Sequence, residues 1–364
     1  MRKTHRGAGH VNGVGRGEII YVDDTSAGIA RYRRGNGFAY RLSDGSSLRD
    51  AEQLRRIRAL AIPPAYTNVW ICPDPRGHVQ ATGRDARGRK QYRYHTEWAK
   101  ARETNKFDRL TEFAAALPTL RRQVMRDLAM PVGRHVGRES VLATIVRLLD
   151  TTLVRVGNEE YARSNGSYGL TTLRNRHAAV QGTQLRLRFR GKSGVSHEVT
   201  IDDPRVARVV GRCQSLPGQE LFQYLDDTGQ VRSIDSSDVN AYIRAASGGE
   251  FSAKVFRTWH GSVQALALAT AALDEDPSTH GGRGLALAVL KEVSRRLGNT
   301  LAVCRKAYVH PRVLELLSGH LDRTASLAEP IGRKAGLSVD ERRLVGFLSS
   351  RSAAQSTQPD RLHR

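Results

Sequence analysis

In the first hundred residues the apolar positions fall in short alternating runs, whereas beyond Phe107 they recur with a helical period. Successive side chains of a strand point to opposite faces, and residues three or four apart on a helix share one, so the change of period marks a change of structure. Gly37-Phe38-Ala39-Tyr40-Arg41-Leu42 alternates and runs into the turn sequence Ser43-Asp44-Gly45, which predicts a strand. Two more strands are predicted around Asn68–Cys72 and His78–Thr82, joined by the turn Asp74-Pro75-Arg76-Gly77. Before them, Leu54, Ile57 and Leu60 share one face of a helix from Asp50 to Leu60, which Pro63-Pro64 stops.

Phe107, Leu110, Phe113 and Leu117 then form one helical stripe, and Val141, Leu142, Ile145, Leu148, Leu149 and Leu153 another. A β island interrupts the helices. Leu185, Leu187 and Phe189 alternate with Arg186, Arg188 and Arg190, and Gly191-Lys192-Ser193-Gly194 turns the chain into a second strand around Val195–Ile201. Further helices are predicted from Pro204, from about Asp238, across Ser262–Leu273 and across Leu285–Leu297. The fold class expected is α+β. A basic, flexible N-terminus (1–20) precedes a small β-rich domain (21–100), and a polar linker near 98–106 leads to a larger, mostly helical domain (107–346) carrying a β-hairpin. The Ser-, Gln- and Arg-rich tail (347–364), without period beyond about Ser349, is expected to be disordered.

Charge narrows the partner. The 364 residues hold 58 Lys and Arg against 36 Asp and Glu, a formal charge of +22. Each cation set on a phosphate releases condensed counterions, so an excess spread over the whole chain points to nucleic acid. Only nine of the 58 are lysines. Arginine keeps its proton in every setting, whereas lysine can give one up, so lysines at special positions merit attention. Cys72, Cys213 and Cys304 are odd in number and far apart, which argues against a disulfide framework or a zinc site and suits a reducing cytoplasm. No apolar run approaches membrane length, no apolar stretch follows the basic start as in a secretion signal, and no Gly-rich ATPase loop is present. Hence no membrane, nucleotide, metal or other cofactor is expected.

Five segments carry the candidate chemistry. Gly298-Asn299-Thr300-Leu301-Ala302-Val303-Cys304-Arg305-Lys306-Ala307-Tyr308 resembles the tyrosine segment of poxvirus-type and bacterial type IB DNA topoisomerases, in which a His or Asn stands nine residues before the tyrosine. Lys254-Val255-Phe256-Arg257-Thr258 is similar to the family's Lys-x-x-Arg-Thr element. Arg190-Gly191-Lys192 with Val195-Ser196-His197-Glu198 is similar to its lysine hairpin. Arg155-Val156-Gly157-Asn158 through Tyr161, followed by Gly169-Leu170-Thr171-Thr172-Leu173, resembles the segment of its first catalytic arginine. Arg84 through Tyr94, with Arg89, Lys90, Gln91, Tyr92 and Tyr94, resembles its DNA-contacting strand. Each match is weak singly; five in family order, between about residues 20 and 345, are specific.

The resemblance implies the roles. Tyr308 is the nucleophile that forms a 3′-phosphotyrosyl bond, Arg155 and Arg257 grip the scissile phosphate, and Lys192 protonates the departing 5′-oxygen. Asn299 donates a hydrogen bond to a nonbridging oxygen where poxvirus enzymes carry His; an amide can donate but cannot do acid–base work. Lys254 supports the same phosphate, Tyr161 contacts phosphate, and Arg89, Lys90, Gln91, Tyr92 and Tyr94 contact DNA. The implied whole is a cytoplasmic, nucleoid-associated monomer that closes as a C-shaped clamp on double-stranded DNA and relaxes supercoils without ATP or metal. Residue by residue, plainer readings exist. Tyr308 could be core, Lys192 a solvated turn residue, Arg155 a helix C-cap and Arg257 one surface arginine among many. The nearest rival, a tyrosine recombinase, shares the catalytic core but typically has His-x-x-Arg where this chain has Lys254-Val255-Phe256-Arg257, and a helical rather than β-rich N-terminal domain.

Overall fold

The structure, a computed structural model, describes residues 19–86, 88, 90–131, 136–275, 282–321, 330–333 and 335–355. The chain divides into two compact units, Met1–Thr104 and Asn105–Arg364. Of the expected flexible start only residues 19 and 20 are described, and Arg89 lies outside the described residues.

The first unit is an antiparallel five-stranded sheet in the order β2-β1-β3-β4-β5. Its strands are β1 (Ile29–Arg34), β2 (Gly37–Arg41), β3 (Thr67–Ile71), β4 (Val79–Arg84) and β5 (Lys90–Tyr94). Helix α1 (Ala51–Ala59) starts at Asp50, whose carboxylate accepts from the N–H groups of Glu52 and Gln53. It delivers Ile57 to a small core with Ile29, Val69, Ile71 and Ala81. Strand β1 has no counterpart among the sequence expectations. Its Ile-Ala-Arg-Tyr-Arg-Arg reads as polar, but the Arg31 guanidinium donates to the carbonyls of Ile62, Pro63 and Tyr66 at 3.0, 3.0 and 2.7 Å and packs on Phe38. Partners distant in sequence make that arginine an acceptable inner-strand residue.

The expected linker is a helix. α2 (Thr96–Ala129) runs unbroken through 98–106 and across the boundary between the units. That stretch is polar but rich in Ala, Lys, Arg and Glu and free of Gly and Pro, a composition that favours a solvated helix as much as a loop.

The second unit packs α2 against α3 (Arg138–Thr152), α6 (Ser236–Ser247), α7 (Lys254–Glu275) and α8 (Arg283–Leu297) around one core. Phe113 of α2 meets Phe251, Phe256 and Trp259 with ring centroids 5.3, 5.3 and 6.0 Å apart. Helix α7 begins eight residues ahead of the expected Ser262, because Val255, Phe256, Thr258 and Trp259 look strand-like in sequence yet are gathered by the surrounding core. The β island is a three-stranded sheet, β6 (Ala178–Gln181), β7 (Gln184–Arg190) and β8 (Ser196–Asp202), with α5 (Pro204–Gln214) packed on it. Leu185, Leu187 and Phe189 of β7 are buried and the arginines between them exposed, as alternation requires. A short ribbon, β9 (Gln223–Leu225) with β10 (Val231–Ser233), and the helices α9 (Leu301–Ala307) and α10 (Pro311–Leu317) complete the unit up to the last helix. That helix, α11 (Val339–Gln355), extends into the region expected to be disordered. Leu344 and Phe347 anchor it, and Arg312 donates to the Phe347 and Leu348 carbonyls and to Ser350 Oγ. Once nucleated, a helix extends at little cost without an apolar pattern. Residues 356–364 lie outside the described residues. No helix among the described residues is long and apolar enough to cross a membrane.

A buried ionic cluster joins four of these helices. Arg121 of α2 binds Asp150 of α3 at 2.7 and 2.9 Å and Glu341 of α11 at 2.8 Å through each of two nitrogens. From α7, His260 meets Asp150 at 2.8 Å and Trp259 donates to Glu341 at 3.0 Å. Burial pushes both carboxyls up, but His260 and Arg121 at Asp150, and Arg121 with Trp259 at Glu341, outweigh it and hold Asp150 well below the usual range and Glu341 below it. A depressed carboxylate pKa stabilises the fold above its unfolded value of about 4, and that stability is lost as pH falls toward the folded value. The urea midpoint is therefore expected to hold down to about pH 4 and to drop below it. At neutral pH Arg121→Met, which strands two buried carboxylates, should cost about 3–5 kcal/mol by denaturant titration.

Candidate active site

Arg257 lies in the first turns of α7 and is 4% exposed. No carboxylate pairs with it among the described residues. Its two terminal nitrogens instead donate to the carbonyls of Leu153 and Leu297. Leu297 ends α8, and Leu153 follows α3 in a left-handed conformation (φ 61°). Carbonyls at helix C-termini lack intrahelical donors and carry partial negative charge. One guanidinium thus closes two helices, and their ends stand in for a counterion. Burial, then the charge of Arg155, lowers the affinity of Arg257 for its proton. Its Nε is buried and has no hydrogen-bond partner.

The chain leaving each capped helix carries the next site residue. After α3 comes Arg155, and after α8 comes Asn299, whose Oδ1 accepts from the Arg155 guanidinium. Because arginine only donates, this contact turns the amide oxygen toward Arg155 and leaves Nδ2 as the remaining group; it is buried and has no partner. The backbone of Arg155 is clamped from behind. Leu170 N–H donates to the Arg155 carbonyl at 2.9 Å and Thr171 N–H to the Val156 carbonyl at 2.7 Å. A Cβ on Gly169 would come within 2.5 Å of the Gly157 Cα and 2.7 Å of the Arg155 oxygen, so only glycine lets the two segments touch. α4 (Glu159–Asn165), capped by Asn158 through Tyr161 N–H at 3.1 Å, continues from there with Tyr161 half-buried.

Tyr308 ends α9 and is half-buried. Its backbone lies on α7, where a Cβ on Gly261 would sit 2.7 Å from the Tyr308 carbonyl oxygen, and Ser262 Oγ donates to that oxygen at 3.3 Å. The Arg257 guanidinium stands 4.9 Å from the centre of its ring. Burial pushes the phenol up, but Arg257, then Arg155 and Lys192, pull it below the usual tyrosine value. Lys192 is exposed on the turn between β7 and β8, where Ser193 has φ 64°. Tyr168 N–H ties the preceding strand down through the Arg190 carbonyl at 2.8 Å.

Thus Tyr308, Arg155, Arg257 and Asn299 come together, and Lys192 lies near enough for its charge to act on the phenol. Lys254 is exposed at the first residue of α7, one turn ahead of Arg257. In the other unit, Tyr92 and Tyr94 of β5 are 45% and 41% exposed and stack 5.8 Å apart, and Gln91 donates to Asp85 at 3.0 Å. Lys90 is committed to Asp24 at 2.6 Å, so part of its charge is already neutralised. Two neighbours of the tyrosine went unnoticed in the sequence. Lys106 donates to the Ala307 carbonyl and places its ammonium 5.8 Å from the Tyr308 ring centre, and Ser262 holds the backbone. The scarcity of lysine was the one available hint for Lys106. Among the described residues no three His, Cys, Asp or Glu side chains gather as a metal site would.

Residues 95–328 match the model of the eukaryotic DNA topoisomerase I catalytic core, and residues 37–85 that of the N-terminal domain of bacterial DNA topoisomerase IB. The chain belongs to the type IB DNA topoisomerase family. It is 34% identical to DNA topoisomerase 1B of Acanthamoeba polyphaga mimivirus over 296 residues, 79% of this chain and 87% of that protein. It is 22% identical to DNA topoisomerase I of Monkeypox virus over 246 residues, 65% and 71% of the two chains. It is 28% identical to DNA topoisomerase 1 of Mycosarcoma maydis over 179 residues, 44% of this chain and 18% of that protein. Tyr308, Arg155, Arg257, Asn299 and Lys192 of this type IB chain all fall within the matched catalytic core.

Arg257→Ala removes the shared cap of α3 and α8 and leaves two buried carbonyls unpaired. Each is worth about 1–3 kcal/mol, so a loss of about 2–6 kcal/mol is expected in chemical denaturation. Arg257→Lys, with one point-like ammonium, should recover only part of it.

Proposed function

We propose that this type IB chain relaxes positively and negatively supercoiled DNA by cutting one strand with Tyr308 and resealing it. The observation that carries the reading is the convergence on one tyrosine of two arginines and a lysine, with two buried donors, Arg257 Nε and Asn299 Nδ2, left without partners. Buried donors without partners are rare in folded proteins and fit a site that awaits acceptor oxygens.

The Tyr308 phenol oxygen attacks the scissile phosphorus as the bond to the 5′-oxygen breaks. The phenol proton passes to solvent, its departure eased by the three cations, and the Lys192 ammonium gives a proton to the 5′-oxygen. Arg155, Arg257 and the Asn299 amide hold the nonbridging oxygens, where charge accumulates; removing one such donor typically costs about 10²–10³ in rate. One phosphodiester replaces another, so the cut strand keeps its bond energy in the phosphotyrosyl link and reseals by the reverse path. Strain in the DNA drives the net change. Lys254, Tyr161 and the exposed Tyr92–Tyr94 pair add contacts to duplex DNA, the tyrosines by apolar and stacking surface, with Gln91 and Lys90 beside them. All five central side chains come from one chain, so a monomer suffices. The recombinase alternative shares this core chemistry, and a plasmid without any recombination site separates the two.

The purified protein is expected to relax such a plasmid of either supercoil sign in EDTA and without ATP, because arginines and lysine supply the charge a metal would bring. An absolute need for Mg²⁺ or ATP would overturn the mechanism. Tyr308→Phe should bind duplex DNA with nearly unchanged affinity and form no covalent adduct on denaturing gels. A persisting adduct would move the nucleophile elsewhere.

A further inference from the structure

The ring of His197 lies where two site loops meet. On β8 it stands opposite Phe189 of β7, and the two rings stack with centroids 5.1 Å apart and planes 13° from parallel. The stack sets the plane of the imidazole and leaves its edge facing two glycines. A Cβ on Gly191 would lie 2.6 Å from Cδ2 and Nε2, and one on Gly298 would lie 2.9 Å from Cε1. Gly191 immediately precedes Lys192, and Gly298 immediately precedes Asn299. The backbone at Gly191 (φ −93°, ψ −166°) is open to any residue, so glycine is required there by the ring rather than by the turn. Burial, then Arg155 and Arg257, lower the proton affinity of the imidazole, so it stays neutral beside two cations. Among the described residues its nitrogens make no hydrogen bond, which leaves packing as its contribution.

We propose that His197 is a positioning residue whose ring, wedged between Gly191 and Gly298, holds the Lys192 turn at a fixed offset from the Asn299 loop. The wedge sets the Lys192 ammonium for the departing 5′-oxygen. This rests on the assignment of Lys192 as the acid made above. A positioned acid contributes about 10²–10⁴ in rate, and misplacement by an ångström forfeits much of it.

The test is single-turnover cleavage of a duplex whose scissile phosphate carries either the ordinary 5′-oxygen or a bridging 5′-sulfur, which leaves without needing a proton. His197→Ala should cut ordinary DNA about tenfold or more slowly, regain most of that loss with sulfur, and still bind DNA. Gly191→Ala, whose new methyl must push the ring aside, should behave alike. The double variant should be no slower than His197→Ala, because the methyl's remaining neighbour is the Val195 carbonyl oxygen at 3.6 Å, an ordinary contact. A wild-type rate for His197→Ala, or an equal loss on both substrates, overturns the proposal, as do additive losses in the double variant. Lys192→Ala is run alongside. If it gains nothing from sulfur, the acid assignment falls, and the wedge is judged by the double variant alone: non-additive losses sustain it and additive losses overturn it.

Discussion

The site hangs on one buried guanidinium. Arg257 is almost wholly removed from water without a carboxylate partner among the described residues, a placement that would be prohibitive unless other groups replaced its hydration. Two helix C-termini do so, through the carbonyls of Leu153 and Leu297. The arrangement stabilises both parties: the cation gains fixed acceptors, and α3 and α8 gain a common cap. Among the described residues it also leaves the guanidinium without a formal countercharge, offset only by partial charges. An ion pair with Asp or Glu would have buried the same cation while neutralising the field felt by Tyr308.

From that fixed point the other groups follow by short stretches of chain. Arg155 is two residues beyond the Leu153 carbonyl and Asn299 two beyond that of Leu297, so the cap that holds the helices also sets the origin from which both residues extend. The Tyr308 ring lies over the same guanidinium, and its backbone rests on Gly261 and Ser262, one further turn along α7. Groups held this rigidly need little reorganisation when charge develops. Placing Arg155, Arg257 and Lys192 close enough to act together on one phenol sets like charges against one another. The Arg121–Asp150–Glu341 cluster, built from α2, α3, α7 and α11, supplies compensating order elsewhere in the same unit.

The parts of the fold that were legible in sequence were those written in local periodicity. The stripe from Phe107 to Leu117, the stripe from Val141 to Leu149 and the alternation of Leu185, Leu187 and Phe189 all became buried faces. The parts that were not legible depend on partners far along the chain. β1 is hidden by Arg31, whose acceptors lie some thirty residues on, and the start of α7 is hidden by aromatic and β-branched residues that only a surrounding core makes helical. The end of the tail helix, 349–355, and the helical passage at 98–106 show the converse: a polar stretch without Gly or Pro does not distinguish loop from helix until anchors elsewhere, such as Leu344 and Phe347 for the tail, are in place.

At the site the division is equally physical. The sequence by itself determined the chemical inventory, the order of the five motifs and hence the family, because spacing such as Asn299 to Tyr308 is a property of the chain alone. Tertiary structure decided which atoms are free to act. That Arg257 faces carbonyls rather than solvent, that Asn299 turns its oxygen to Arg155 and keeps its N–H₂ in reserve, and that Lys90 is held by Asp24 all arise from contacts across 40 to 144 residues. Lys106 beside Ala307, 201 residues away, arises likewise. Hydrogen-bond satisfaction depends on distance in space, and no local pattern encodes it.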